Sequence, residues 1–356
     1  MLPESSLTFL KRLLDSPGPS GFESIPARVW REEAKTFATE VRGDVAGNSL
    51  AEINPKGSPT IMLDGHIDEI GLIVQYIDDE GFAHVGPIGG WDAQVLVGQR
   101  IRFLGREGDV FGVIGKKPIH LMKNDDREKA SKMSDLWVDI GAANKSEAEE
   151  RLQVGDPGVI DSRALDFPNK RLVSRSIDDR IGAFTALEAL RRYAKNPGKA
   201  RVVAVATTQE EIAWHGGGAL ICATCLNPKM AIVIDVTHAS DSPGMEKKEL
   251  GDHKLGSGPV LTRGALINPV VFNLLRSAAE KKKIPFTINA AGRDTSTNAD
   301  AIHIPREGVA TALVSIPNRY MHSPNEMVSL EDVERTAELI AEVCREIGDK
   351  TDFTAR

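Results

Sequence analysis

Three segments in the second half of the chain are continuous apolar runs rather than alternating ones. They read RVVAVATT (201–208), MAIVIDV (230–236) and GVATALVSIP (308–317). Such runs are typical of strands in a sheet that helices cover on both faces. Segments with helical spacing of apolar residues lie among them, at 177–195, 268–283 and 329–348. The alternation predicts an α/β fold with a mixed sheet and helices on both of its faces.

The first part of the chain adds two helical segments, 5–15 and 24–37, and a short apolar strand, TIMLD (60–64), to the same α/β layer. Residues 70–165 differ, because they contain short alternating segments separated by turn residues, a pattern that predicts a small β-rich domain. We therefore expect a discontinuous domain of residues 1–69 and 166–356, interrupted by an insertion at 70–165. The charged stretch 123–133 is interpreted as a solvated loop.

Charge and cysteine content exclude several classes of protein. The 356-residue chain has a net charge of −7 and a pI near 5.7, so it has no general attraction for nucleic acid or anionic membranes. No apolar run approaches the roughly 18 residues of a membrane span, and the N-terminus lacks a signal-peptide core. Three cysteines make no disulfide framework, and Cys222 and Cys225 are interpreted as buried small residues. A cytoplasmic enzyme is the expectation that remains.

Residues of the metal-ligand type follow the ends of the predicted strands. His66 and Asp68 follow strand 60–64, Glu210 and Glu211 follow strand 201–208, and Asp235 ends the next one. His322 lies just beyond strand 308–317, while Asp178 and Asp179 begin a helix. Ligands of open α/β sheets bind beyond the carboxyl ends of the strands, so these side chains are expected to converge.

Two imidazoles and several carboxylates are the ligands that a pair of Zn²⁺, Co²⁺ or Mn²⁺ ions would need. One carboxylate must bridge the ions, and the sequence alone leaves Asp178 and Asp179 as alternatives for that role. Residues two apart in an extended chain point to one side, so Asp68 can orient the ring of His66. Glu210 and Glu211 are adjacent and point in different directions, so one can bind metal while the other acts as a general base.

Other catalytic signatures are missing from the sequence. It contains no H-E-x-x-H, no G-x-S-x-G and no G-x-x-x-x-G-K-[ST] motif. A metal-dependent hydrolase of the two-ion type is therefore the enzyme class that the residues favour.

Nine short stretches together resemble the tetrahedral aminopeptidase or glutamyl aminopeptidase family of dinuclear metallopeptidases, and they occur in that family's order over nearly the whole chain. These stretches are SPGPSGFE (16–23), GDVAGN (43–48), DGHIDEIG (64–71), GGWDAQVLVGQRI (89–101), VDIGA (138–142), SIDDRIG (176–182), TTQEE (207–211), IDV (234–236) and PNRYMHSP (317–324).

The resemblance implies hydrolysis of the N-terminal residue of short peptides, with two divalent ions per chain, Zn²⁺ before Co²⁺ or Mn²⁺. It implies five metal ligands, which are His66, Asp178, Glu211, Asp235 and His322. Asp178 would bridge the ions through a residue pair whose peptide bond is cis in related enzymes. Glu210 would be the general base and Asp68 would orient His66. The family's inserted barrel or PDZ-like domain mediates dimerisation, and members form homo-oligomers that include dodecameric tetrahedra.

One departure from the family pattern concerns the segment after the Glu-Glu pair, where His215 stands in place of the usual Arg and a bulky Trp214 is added. This departure leaves the ligand set intact and puts substrate preference in question.

Three alternatives to the aminopeptidase function remain open. A metal-dependent carboxypeptidase or N-deacylase would need an Arg such as Arg293 or Arg319 near the site. A glycosidase would use paired carboxylates, and a non-catalytic assembly protein would carry a relict site.

Overall fold

A computed structural model describes residues 2–212 and 216–354 of the chain. Its strands form an 11-stranded mixed sheet and, separately, a closed six-stranded barrel. This arrangement confirms the predicted α/β class with an inserted β-rich unit.

The strands of the large sheet come from both ends of the chain. They are β1 Glu40–Gly43, β2 Ser49–Ile53, β3 Thr60–His66, β10 Leu165–Phe167, β11 Arg171–Ser174, β12 Arg201–Thr207, β13 Met230–His238, β14 Val260–Gly264, β15 Thr287–Ala291, β16 Ala310–Arg319 and β17 Glu326–Ser329. Their order is β1-β2-β12-β3-β13-β16-β17-β11-β10, with β14 pairing to β16 and β15.

The centre of this sheet is parallel, which brings the functional residues to one edge. Strands β12, β3, β13 and β16 are parallel neighbours. Thr207 at the end of β12 lies opposite His66 at the end of β3. In the same way, Asp235 of β13 lies opposite Ser315 of β16. The carboxyl ends of the parallel strands therefore meet at one rim, as the apolar runs predicted.

Eleven α-helices are assigned in the described part of the chain. The longer ones are α1 Glu4–Asp15, α2 Ser24–Ala34, α6 Ile177–Ala194, α7 Gly217–Leu226, α9 Pro269–Lys282 and α11 Leu330–Glu346. The shorter ones are α3 Ala93–Leu96, α4 Asn124–Arg127, α5 Lys145–Arg151, α8 Lys247–Leu250 and α10 Ala299–Ile302.

Successive residues of β3 show that both faces of the sheet are covered. Gly65 faces α6 so closely that a Cβ there would lie 2.3 Å from the carbonyl carbon of Gly182. Asp64 points to the other face, where its carboxylate accepts hydrogen bonds from Thr207 and from Asn298, the residue before α10. Since neighbouring side chains of a strand point to opposite faces, α6 and α10 cover different sides.

The barrel has its own apolar core. Its strands are β4 Gly71–Ile77, β5 Ala83–Ile88, β6 Arg100–Gly105, β7 Gly108–Gly115, β8 Trp137–Asp139 and β9 Pro157–Ile160. They are joined in the order β4-β5-β8-β7-β6-β9. Leu72, Ile101, Phe103, Ile114 and Val138 are buried inside it, in a cluster distinct from that of the large sheet.

Three local predictions need correction. The helix predicted at 24–37 ends at Ala34, because the chain turns back so that Phe37 packs beneath the Arg191 guanidinium, 4.3 Å from the ring centroid. The loop predicted at 123–133 is mostly exposed but contains the short helix α4. Cys222 is buried as predicted, whereas Cys225, in the last turn of α7, is exposed.

None of the described helices is both long enough and apolar enough to cross a membrane.

Candidate metal centre

The side chain of Asp178 lies between two imidazoles at the carboxyl rim of the sheet. Its Oδ1 is 3.2 Å from Nε2 of His66, and its Oδ2 is 3.3 Å from Nε2 of His322. Glu211 adds a further oxygen, Oε1, 3.2 Å from Nε2 of His322. The two imidazoles thus share the carboxylate of Asp178, and each faces a different oxygen of it.

The spacing of these atoms suits a metal ion better than it suits direct hydrogen bonds. Charge-assisted N–H···O bonds are about 2.7–2.9 Å long. Ligand atoms placed about 2.0–2.1 Å from a tetrahedral Zn²⁺ lie about 3.3 Å from one another. The three separations above are 3.2–3.3 Å, and Oε1 of Glu211 is buried without a hydrogen-bond partner among the described residues. The donor set therefore fits divalent cations.

A second group of donors surrounds His66 on the side of β13. One ligand atom each from His66, Glu210 and Asp235 lies within 4.8 Å of the others, and the same holds for His66, Asp178 and Glu211. Oε2 of Glu210 is 3.8 Å from Nε2 of His66. The two groups share His66, so the structure brings together all the residues that the sequence analysis selected as ligands or as the base.

Carboxylates outnumber imidazoles in this buried site, and the pKa values of several of its groups are raised. Burial and then the charges of Asp235 and Glu211 raise the pKa of Glu210 well above its ordinary value. Burial and the charge of Asp178 do the same to the pKa of Asp235. For His322, burial lowers the pKa, but the neighbouring carboxylates of Asp178 and Glu211 outweigh it and raise the pKa to about 11. Buried negative charge in excess is what a bound divalent cation would neutralise.

Asp68 holds three of these residues in position. Its Oδ1 is 3.4 Å from Nδ1 of His66, and its two oxygens accept the backbone N–H groups of Glu210 and Glu211, each at 3.2 Å. Ser20 donates its hydroxyl to the same carboxylate. Burial raises the pKa of Asp68, but the charge of His66 and these hydrogen bonds lower it below its usual value, so the group is an anion. One buried carboxylate therefore lies beside the His66 ring and fixes the backbone of the Glu-Glu pair.

Asp178 and Asp179, which sequence alone did not separate, have different surroundings. The peptide bond between them is cis. The Asp178 carboxylate faces the imidazoles, whereas Asp179 accepts the backbone N–H groups of His66 at 3.2 Å and Gly182 at 3.0 Å. A Cβ on Gly182 would lie 2.2 Å from Oδ2 of Asp179, so only glycine fits there. Asp179 thus fixes the backbone that carries His66.

Glu326 is a buried residue of the site that sequence reasoning missed. Its carboxylate accepts the backbone N–H of Asp178 at 3.0 Å and that of His322 at 2.9 Å. It begins β17, four residues after His322, where β17 pairs antiparallel with the end of β16. The signal available in the sequence was a lone glutamate beside a predicted ligand histidine, at the start of a strand.

A buried ion network, also missed, ties the loops of the site together. Glu69 faces both Arg175 and Arg180 and accepts the backbone N–H of Gly18 at 3.1 Å. Arg180 donates to the carbonyl of Ile67 at 3.0 Å. Loss of one partner would leave the other charge buried and unpaired, so the network links the segments on both sides of Asp68.

The remaining predicted residues are the pair that departs from the family pattern and the two arginines considered for an alternative function. Trp214 and His215, the departure from the family pattern, lie outside the described residues. Arg319 pairs with Asp241, with Nε at 2.9 Å from Oδ1 and Nη2 at 2.7 Å from Oδ2, and this pairing occupies its guanidinium. Arg293 is exposed. Arg319 therefore gives no support to recognition of a substrate carboxylate.

Comparison with known proteins identifies the family. The profile of the M42 glutamyl aminopeptidase family matches residues 47–339. This chain belongs to peptidase family M42. It is 36% identical over 350 residues to a lysyl aminopeptidase of Pyrococcus furiosus, an alignment covering 97% of this chain and 98% of the relative.

Solved structures of the family are similar throughout. The TET aminopeptidase of a marine sediment thaumarchaeote superposes with a TM-score of 0.93 at 33% identity, covering 98% of both chains. The TET1 peptidase of Pyrococcus horikoshii, which can assemble into a tetrahedron or a large octahedral shell, superposes with a TM-score of 0.83 at 30% identity, covering 96% of this chain and 100% of that one. The M42 member described here is thus a peptide hydrolase, a metal-dependent aminopeptidase.

Proposed function

We propose that this M42 member is a dinuclear aminopeptidase that removes the N-terminal residue of short peptides. His66, Asp178 and Asp235 would hold one ion, and Asp178, Glu211 and His322 would hold the other. The single observation that carries the proposal is the position of Asp178, whose two oxygens each face a different imidazole at 3.2 and 3.3 Å. Zn²⁺ is the first choice of metal for this set, with Co²⁺ and Mn²⁺ as alternatives.

Bound ions would lower the pKa of water and polarise the scissile carbonyl. Glu210 would act as the general base, taking a proton at its carboxylate and passing it to the leaving amine. Two observations support this role. The backbone N–H of Glu210 is held by Asp68 at 3.2 Å, and its side chain is 18% exposed, so it can reach a substrate.

The variant Glu210→Gln tests the base, because it keeps the size of the side chain and removes its proton affinity. We expect two metal ions per chain to be retained and kcat to fall by about 10²–10⁴-fold. The matched control is Glu150→Gln on the exposed part of α5, which should leave both metal content and kcat unchanged. Loss of metal from Glu210→Gln would instead make Glu210 a ligand, a role that its place beside His66 and Asp235 permits.

Substrate panels separate the proposed activity from its alternatives. Chromogenic aminoacyl substrates with a free amine should be cleaved after chelation and reloading with Zn²⁺, Co²⁺ or Mn²⁺, while N-acetylated versions should not. Preference for the acetylated versions would favour a deacylase, and activity on polysaccharide that survives chelation would favour a glycosidase. The family profile is described as glutamyl while the Pyrococcus furiosus relative is lysyl, so membership leaves the preferred N-terminal residue open.

Assembly and location belong to the same proposal. We propose that the inserted unit at 70–165 mediates dimerisation, and that dimers build a larger homo-oligomer. The similar TET1 peptidase of Pyrococcus horikoshii, which can assemble into a tetrahedron or a large octahedral shell, supports the homo-oligomer. We propose a cytoplasmic location, and the net charge of −7 gives the chain no general attraction for nucleic acid or anionic membranes.

A further inference from the structure

The loop after β12, residues 208–211, is held to the rest of the protein through its backbone. Its four consecutive N–H groups are all accepted by side chains, in chain order by Asn48, by Glu23 and twice by Asp68, at distances of 3.0–3.2 Å. The acceptors come from three separate segments of the chain. Because the loop carries Glu210, its backbone path decides where the proposed general base points.

Gln209 has a backbone conformation that residues other than glycine rarely adopt. Its φ is 62°, in the left-handed region. The residue is exposed, so packing of its side chain contributes little to holding it there. Its own N–H is accepted by Glu23 and the next one by Asp68. Since such a backbone persists only where its surroundings determine it, these hydrogen bonds are what keeps Gln209 left-handed.

Glu23 supplies the acceptor for Gln209 from a buried position, with 6% of the residue exposed. It immediately precedes α2, but among the described residues its carboxylate makes no capping hydrogen bond with that helix. Its Oε1 instead accepts the N–H of Gln209 and, at 2.7 Å, that of Gly21. Burial and then the charge of Asp68 raise the pKa of Glu23 to about 7. The position therefore needs an acceptor oxygen more than it needs a negative charge.

The loop that carries Glu23 is bonded to the segment that carries Asp68. Ser20 donates its backbone N–H to the carbonyl of Glu69 at 3.1 Å and its hydroxyl to the carboxylate of Asp68. The two carboxylates are therefore held in a fixed relation to each other, and displacing either one would shift the loop that both of them hold.

We propose that Glu23 is a positioning residue for Glu210. It holds Gln209 in the left-handed conformation, and this sets the direction in which the next side chain leaves the loop. The inference rests on the proposed function, in which Glu210 is the general base, and adds the residue that orients this base through the backbone. If the acceptor oxygen is withdrawn, Gln209 relaxes toward negative φ and the Glu210 carboxylate turns away from the metal centre.

Two conservative variants separate the place of the acceptor oxygen from its charge. Glu23→Gln keeps an oxygen at the same reach and removes the charge, so we expect kcat within about threefold of the wild type. Glu23→Asp keeps the charge but is one methylene shorter, and we expect kcat to fall by about 10–100-fold because the base is misplaced. KM and metal content should stay unchanged in both. The matched control is Glu188→Asp, a 5% exposed glutamate in the second half of α6, which should keep the wild-type kcat.

A second substitution tests the route through Gln209. Glycine adopts positive φ without steric cost, so Gln209→Gly in the Glu23→Asp background should raise kcat by about threefold or more over Glu23→Asp alone. Damage to α2 or to the metal ligands would not be repaired in this way, so absence of any recovery would overturn the route.

Hydrogen exchange of the amides at 208–211, followed by mass spectrometry on the metal-loaded enzyme, tests the same contact without a substrate. Exchange should be faster in Glu23→Asp than in the wild type, and unchanged in Glu23→Gln. If the wild type cleaves no aminoacyl substrate, the proposed function fails, while the exchange rates still decide whether Glu23 holds the loop. The inference is overturned if Glu23→Asp has the wild-type kcat and exchange, if it loses metal, or if Glu23→Gln is as impaired as Glu23→Asp.

Discussion

Asp332 is a completely buried carboxylate in the first turn of α11, and it makes stability depend on pH. It accepts the backbone N–H groups of Gly256 and Gly258, both at 2.7 Å. Burial raises its pKa to about 6 even though these hydrogen bonds lower it. The folded chain therefore holds this proton more tightly than the unfolded chain, in which the pKa is 3.8. The stabilisation from the bound proton is complete below about pH 4 and is lost as the pH rises through 6.

The variant Asp332→Asn isolates this effect, because asparagine cannot titrate. The variant loses one hydrogen-bond acceptor at every pH. The amount by which the free energy of unfolding of the wild type exceeds that of the variant should shrink by about 2 kcal/mol between pH 4.5 and 7.5. The measurement is the difference in free energy of unfolding between the two proteins in denaturant at each pH, so that titration of the metal centre cancels. A difference independent of pH would mean that the pKa of Asp332 is not raised.

Strand β17 contributes to the metal centre through Glu326, which accepts N–H groups from Asp178 and His322 with its two oxygens. In Glu326→Gln one acceptor becomes an NH₂ group that faces one of these donors. We expect Zn²⁺ affinity to fall by about 10–100-fold while the fold is kept, because groups that hydrogen-bond to metal ligands hold those ligands in orientation. Competition with a chromophoric chelator measures the affinity, and Glu150→Gln again serves as the control. An affinity within twofold of the wild type would show that backbone packing alone positions Asp178 and His322.

The elements show which parts of the site the sequence could predict. Apolar runs locate β3, β12, β13 and β16, and their common direction places His66 and Asp235 at one rim. Glu326 could not be predicted in this way, because its partners depend on how β17 pairs with β16, a long-range register with no local signal. The separate tasks of Asp178 and Asp179 likewise depend on the backbone of β3, more than 100 residues away in sequence.

At the scale of the whole molecule, the candidate metal centre and the surface proposed for assembly lie on different units. The described candidate ligands all come from one chain and from the rim of the large sheet. The barrel presents exposed apolar side chains within a short stretch at and after β7, namely Phe111, Val113, Ile119 and Leu121, which are 49–68% exposed. Exposed apolar groups this close in sequence suit the dimerisation role that we propose for the inserted unit.

The double variant Val113→Lys, Leu121→Lys should therefore weaken assembly and spare chemistry. Two added cations on this surface would repel their counterparts across an interface built from copies of the same chain. Light scattering coupled to size exclusion should give a lower mass than for the wild type, while kcat on a small aminoacyl substrate stays within about threefold, since each protomer keeps its own ligands. The control adds the same charge on α5, as Glu150→Lys, and should keep the wild-type mass. An unchanged mass for the double variant would place the contacts between protomers elsewhere, and a loss of kcat that follows the loss of mass would mean that a neighbouring protomer completes the site.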